Sequence, residues 1–153
     1  MAQTTDARII NSKVLGEVSA TADQVLTFPT GLLGFPEARD FVLVATRRTG
    51  FYWLQSLDHE ALTFLVLDPF THVSDFVIDI PDNELGGLGT DANEIIVLGI
   101  VTLPAGPEDP LTVNLQGPLL INSKKGLGRQ LIVEDSAYGV RMQLDITAAL
   151  LAS

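Results

Sequence analysis

Along this chain apolar residues gather in short runs rich in β-branched and aromatic side chains, and Gly, Pro, Asn or Asp closes a run about every ten residues. That punctuation belongs to a sheet protein, with the runs predicting strands over 12–19, 24–28, 41–46, 51–57, 62–67, 76–80, 95–103, 111–115, 119–122, 128–133 and 139–146. In "LTVNLQ" the period is two: Leu111, Val113 and Leu115 point one way, and Thr112, Asn114 and Gln116 the other. The run "IIVLGIVTL" (95–103) has almost no polar position and fits a helix or a strand on periodicity alone. Its β-branched Ile95, Ile96, Val97, Ile100 and Val101 favour a buried strand.

Helical content is expected to be one or two short pieces. "PEARDF" can make one turn with Pro36 at its first position, and "PDNELGGLG" another that Gly86 or Gly87 ends. The tail "ITAALLAS" reads as a weak helix or a frayed end. The expected architecture is therefore all-β, mainly antiparallel, a small barrel-like or sandwich single domain over 1–153, with 1–11 an unstructured lead-in and 147–153 a weak tail. At 153 residues one core can bury roughly two thirds of the unfolded surface.

Composition narrows the function classes. The chain has no cysteine, so disulfides, thiol chemistry and cysteine-held zinc are excluded. The longest apolar run is too short to span a bilayer as a helix, and the first eight positions are polar, without an apolar leader; the expectation is a soluble, cytoplasmic protein with no membrane contact. Net charge is −10, and its placement says more than its size. Between Arg48 and Lys124 there is no Lys or Arg in 75 residues, while the same interval holds eleven acids. Nucleic-acid binding draws on Lys and Arg displacing counterions from phosphates, so direct DNA or RNA binding is not expected. An acidic surface can steer a basic partner or simply keep the protein soluble.

The glycines of "GLLGF" and "GGLGTDAN" match neither a Walker loop nor a dinucleotide fingerprint, and read as turn residues. No nucleophile elbow is present, and Ser56, Ser74 and Ser136 sit in no catalytic context. His59, in "LDHEAL", and His72, in "PFTHVSDF", read as turn and loop residues without the further ligands a metal needs. No catalytic residue, metal or cofactor is expected. Polar residues set among apolar ones remain: Gln55 and Ser56 after the aromatic run holding Trp53, then Asn114, Asn122 and Gln130. A buried amide must find partners, so Asn114 and Asn122 are expected to fix strand register and tie turns to the sheet, whereas Gln55 fits that role and a surface contact equally.

Taken in order, "GLLGFPEARDFVL", "FYWLQSLD", "FLVLDPF" and "LTVNLQGPLLINSKKGLGRQLIVEDSAYGVRMQL" resemble the flagellar assembly factor FliW family over roughly 28–144. Gln116-Gly117 departs from it, standing where a small residue is expected before the proline. The resemblance implies a mostly β, barrel-like domain without catalytic activity, a cytoplasmic regulator that binds flagellin and the translational repressor CsrA. On that footing free protein antagonises CsrA and flagellin competes for it, coupling flagellin synthesis to flagellum assembly. The protein is expected to be a monomer, with Asp58, Glu60, Asp79, Asp82 and Glu84 as an acidic surface for CsrA, and Phe35, Gln55 and Phe70 as exposed contacts. The alternative class is a small-ligand-binding or enzymatic β-barrel with an acidic pocket, which would need convergent polar groups in a closed cavity.

Overall fold

A computed structural model describes residues 7–89, 92–134, 136–147 and 149. Its strands are β1 (Arg8–Ser12), β2 (Gly16–Ala20), β3 (Leu26–Thr27), β4 (Asp40–Ala45), β5 (Phe51–Ser56), β6 (Thr63–Leu67), β7 (Ile96–Thr102), β8 (Pro110–Asn122), β9 (Leu127–Gln130) and β10 (Met142–Thr147). Strands β3 to β9 hydrogen-bond in a ring that closes through β8–β9 and a short parallel β9–β3 contact, giving a seven-stranded barrel with β10 added along β8. The remaining neighbours in the ring are antiparallel. Of the expected all-β alternatives, barrel-like or sandwich, the chain forms the barrel.

Strand alternation sorts the apolar side chains onto two faces. One cluster draws on Leu26, Phe41, Leu54, Val66, Leu98, Leu119 and Ile121, so it has members from β3 to β8, with Phe28 pressed against Gly128 of β9. A cluster fed from six of the ring's seven strands, and touching Gly128 of the seventh, is the barrel interior, and these side chains are buried to 4% exposure or less. The outer face of β5 to β8, including Phe51, Leu65, Leu67, Val97 and Leu120, is covered by the 69–95 connection and by 131–144. The outer face of β4 is covered by the β1–β2 hairpin through Val18, Ala20 and Val42.

The connection between β6 and β7 carries α1 (Pro69–His72), α2 (Asp82–Leu85) and the 3-10 turns Gly86–Leu88 and Ala92–Glu94. The α2 turn was expected from "PDNELGGLG"; α1 was not. Its start is nonetheless written in "LDPF": Pro69 sits at its beginning and the Asp68 carboxylate caps it, accepting from Phe70 N at 2.9 Å.

Several boundaries differ from the sequence pattern for identifiable reasons. The run 12–19 is not one strand, because Ser12 Oγ accepts from Val14 N and Leu15 N and folds the chain into the β1–β2 turn. As a result Arg8–Asn11, expected to be unstructured, are strand. "PEARDF" makes a turn at Pro36-Glu37 but no helix and runs into β4 at Asp40, and 76–80 is extended but joins no sheet among the described residues. The predicted strands 111–115 and 119–122 are one strand, β8, in which Leu115 faces outward and Leu119 inward. The face switches because β8 bulges between Asn114 and Leu119 opposite Gly99, and Asn114 Oδ1 holds the bulge by accepting from Gln116 N and Gly117 N at 3.0 and 2.9 Å. Asn122 ties the β8–β9 turn to the 69–95 connection: its Oδ1 accepts from Lys124 N and Lys125 N, and its Nδ2 donates to Leu88 O at 2.6 Å. Asn122 is buried and Asn114 half-buried, and both tie turns and fix register as expected. The tail reading for 147–153 falls largely outside the described residues.

Candidate partner-binding surfaces

The corner between β3 and β4 closes one end of the barrel. Phe28, Leu32 and Ala38 enter the interior cluster, and Leu32 and Phe35 exchange two backbone hydrogen bonds around Leu33-Gly34. Gly31 is required here, since its φ is +69° and a Cβ would lie 2.5 Å from the Phe35 carbonyl oxygen. Phe35 itself stays at the rim, 42% exposed, with its ring edge-on to Phe64 at 5.5 Å. Beside it a shallow pocket is lined by Gly34, Phe35, Glu37, His59 and Leu62.

Gln55 was expected as an exposed contact, and the structure corrects this: its side chain is fully buried. Its Oε1 accepts from Ser12 Oγ at 2.6 Å and from Thr63 Oγ1, and its Nε2 donates to Ser56 O at 2.9 Å and, more weakly, to His59 O. The amide therefore joins the β1–β2 hairpin, β5, β6 and the turn between the last two.

That turn carries Asp58 and Glu60. Asp58 accepts from Arg39 N and Asp40 N at 3.2 and 3.1 Å and pairs with Arg8 at 3.4 Å, while Arg8 also binds Asp40. Burial, the largest single influence on Asp58, pushes its carboxyl up. The N–H groups of Asp40 and Arg39, with Arg8, outweigh it and hold the carboxyl below its ordinary value. Asp58 is thus a strut between hairpin and barrel more than a free surface charge. Because the folded value lies below the ordinary 3.8, the stabilisation is present above that pH and lost as pH falls through the folded value. In thermal melts from pH 6 down to pH 3, Asp58→Asn should lose less stability on acidification than the parent; parallel curves would contradict the strut. Glu60 has an exposed side chain, and its carbonyl accepts from Lys13 N.

The remaining candidates follow β6: Phe70 stands just past its end, and Asp79, Asp82 and Glu84 come later in the 69–95 connection, with Glu84 held by a partner other than that of Asp58. Phe70, on α1, is 58% exposed and stacks edge-on against Phe76 at 4.9 Å, which in turn contacts Tyr138. Asp79 is exposed, Asp82 begins α2, and Glu84 pairs with Arg129 at 3.0 Å. Asp79 and Glu84 edge a groove of about 570 Å³ between 76–81 and 131–138. Val77, Ile132 and Glu134, which sequence reasoning did not single out, line it too. The signal for Val77 was in the alternating run 76–80, whose outward positions are Val77 and Asp79.

Among the described residues no group of three or more His, Asp or Glu is placed to hold a metal ion. His72 Nε2 lies 2.7 Å from Thr49 O, the distance of a ring N–H donating to a carbonyl. No helix of the described residues is long and apolar enough to cross a membrane.

The chain's relatives agree with this architecture. The sequence model of the family described as FliW protein matches residues 8–144, and so reaches into β1, beyond the segments that carry the resemblance. The flagellar assembly factor FliW of Natranaerobius thermophilus is 34% identical over 137 residues, covering 88% of this chain and 91% of that protein. That of Leptospira interrogans is 36% identical over 143 residues, covering 92% and 95%. A crystal structure of the flagellar assembly factor FliW superposes with a TM-score of 0.80 at 32% identity, over 88% of this chain and 95% of that one.

Proposed function

The chain belongs to the FliW family of flagellar assembly factors, and from that premise we propose that it is a cytoplasmic, monomeric, non-catalytic regulator that binds and antagonises CsrA, and that flagellin competes for it as a chaperoned client. The observation that carries the CsrA half is electrostatic. An RNA-binding repressor must be basic to hold phosphates, and the 75 residues from 49 to 123 bring acids to this protein's surface with no Lys or Arg among them. Asp79 and Glu60 are exposed members of that interval, and neither has an ion-pair partner among the described residues.

The filled barrel weighs against the alternative, a small-ligand or enzymatic barrel. Phe28, Phe41, Leu54, Val66, Leu98, Leu119 and Ile121 occupy the interior where a lipocalin-like ligand would sit, each with no exposure. Function then rests on the outside of the barrel.

Calorimetric titration against purified CsrA of the same organism tests the proposal. Binding is expected at low salt and should weaken as ionic strength rises, since exposed charges more than about 10 Å apart are screened at 0.1 M. Affinity indifferent to salt would remove the electrostatic argument.

A further inference from the structure

The segment Phe76–Ile80 has the pattern of a strand and pairs with none among the described residues. Phe76, Ile78 and Ile80 turn inward onto the outer core cluster, whereas Val77, 72% exposed, and Asp79 turn outward. Phe76 N donates to Val73 O and Val77 N to Tyr138 Oη. The N–H groups of Ile78, Asp79 and Ile80 have no acceptor among the described residues. Opposite, Leu131 N and Val133 N donate to Pro118 O and Gln116 O, extending β9 along β8. Antiparallel alternation then turns the N–H and C=O of Ile132, whose side chain is 49% exposed, away from β8. Two extended runs thus flank one groove, each with unpaired backbone and an exposed β-branched side chain. Leu115 and Tyr138 form part of its wall, and Asp79 and Glu134 stand at its rim without a cationic partner among the described residues.

A bare strand edge is normally blunted by Lys, by Pro or by a covering element. Here Pro81 blunts only the end of the run, and the charges beside it are negative. The geometry points to β-strand addition: the groove takes an extended segment of a basic protein partner, whose backbone pairs with Phe76–Ile80. Alternate apolar side chains of that segment pack on Val77 and Ile132, and its Lys or Arg side chains reach Asp79 and Glu134. An acidic or neutral segment would leave both carboxylates uncompensated beside a desolvated ladder. This rests on the reading above that the protein acts by holding a basic partner, and assigns that partner's place and mode.

The test pairs hydrogen exchange with two surface variants, using purified CsrA as the probe. In the free protein the amides of Asp79 and Ile132 should exchange fast, and in the complex they should become protected, since Val77 N already points to the groove at Tyr138 and alternation sends the Asp79 N–H the same way. Val77→Lys with Asp79→Lys, and separately Ile132→Lys, should each weaken CsrA binding by about tenfold or more while leaving the thermal midpoint near that of the parent, because all three side chains are exposed. Binding with these amides still unprotected, or variants that bind as the parent does, would overturn the groove and leave the CsrA reading standing. Absence of any CsrA binding by the parent would overturn both.

Discussion

Gln55→Leu should lower the stability of this protein by about 2–4 kcal/mol, the largest loss expected from any single side chain that leaves volume nearly unchanged. Leucine fits the space but offers no partner to the Ser12 and Thr63 hydroxyls or to the carbonyls of Ser56 and His59. Leaving buried polar groups unpaired costs far more than one net hydrogen bond is worth, because in the unfolded chain each is solvated by water. For a domain of this size the loss corresponds to a fall of roughly 5–15 °C in the unfolding midpoint. Denaturant melts read it directly, and a change below about 1 kcal/mol would show that the amide is not the tie between hairpin and barrel. Because the side chain is buried, CsrA affinity measured well below the midpoint should be unchanged. That separates a structural Gln55 from a contact one.

Gly128→Ala should destabilise by about 2–3 kcal/mol, and the loss should shrink when Phe28 is made smaller. A Cβ at Gly128 would stand 2.5 to 2.9 Å from three atoms of the Phe28 ring, far inside contact distance. The ring cannot retreat, since Phe28 is fully buried and meets Phe41 edge-on at 5.5 Å. The β3–β9 contact that closes the barrel is only one residue pair long, Thr27 with Leu127, so the clash falls at its weakest seam. Phe28→Leu alone should also cost stability by leaving a cavity. The double variant should be more stable than the sum of the two losses predicts, a coupling that a double-mutant cycle measures. Simple additivity would mean that the ring and the glycine do not share this space.

Most of the barrel was legible because strand signals are local. β-Branched runs between turn formers located β4 to β9 within a few residues. What failed to show depends on distant partners. The run 76–80 reads as a strand from its alternation, yet a strand also needs a neighbour, and no sequence pattern says whether one is supplied. The split at Ser12 was hidden because a serine inside a polar run carries little turn signal until its hydroxyl is seen capping Val14 and Leu15. Charge was legible as an interval but not as a surface: among the described residues Asp58 is tied into the Arg8 cluster and Glu84 to Arg129, while Asp79 and Glu60 have no such pair. Gln55 could not be placed from sequence, since an amide closing an aromatic run fits a buried tie or an exposed contact equally.

On the proposed function, an acidic surface on the outside of the barrel would hold a basic repressor until flagellin displaces it. Titration of the chain with CsrA at low salt, repeated after saturation with flagellin, tests that claim most directly. A clear binding isotherm is expected in the first experiment and its loss or marked weakening in the second. No binding of CsrA at low salt, or CsrA binding that is indifferent to bound flagellin, would contradict it.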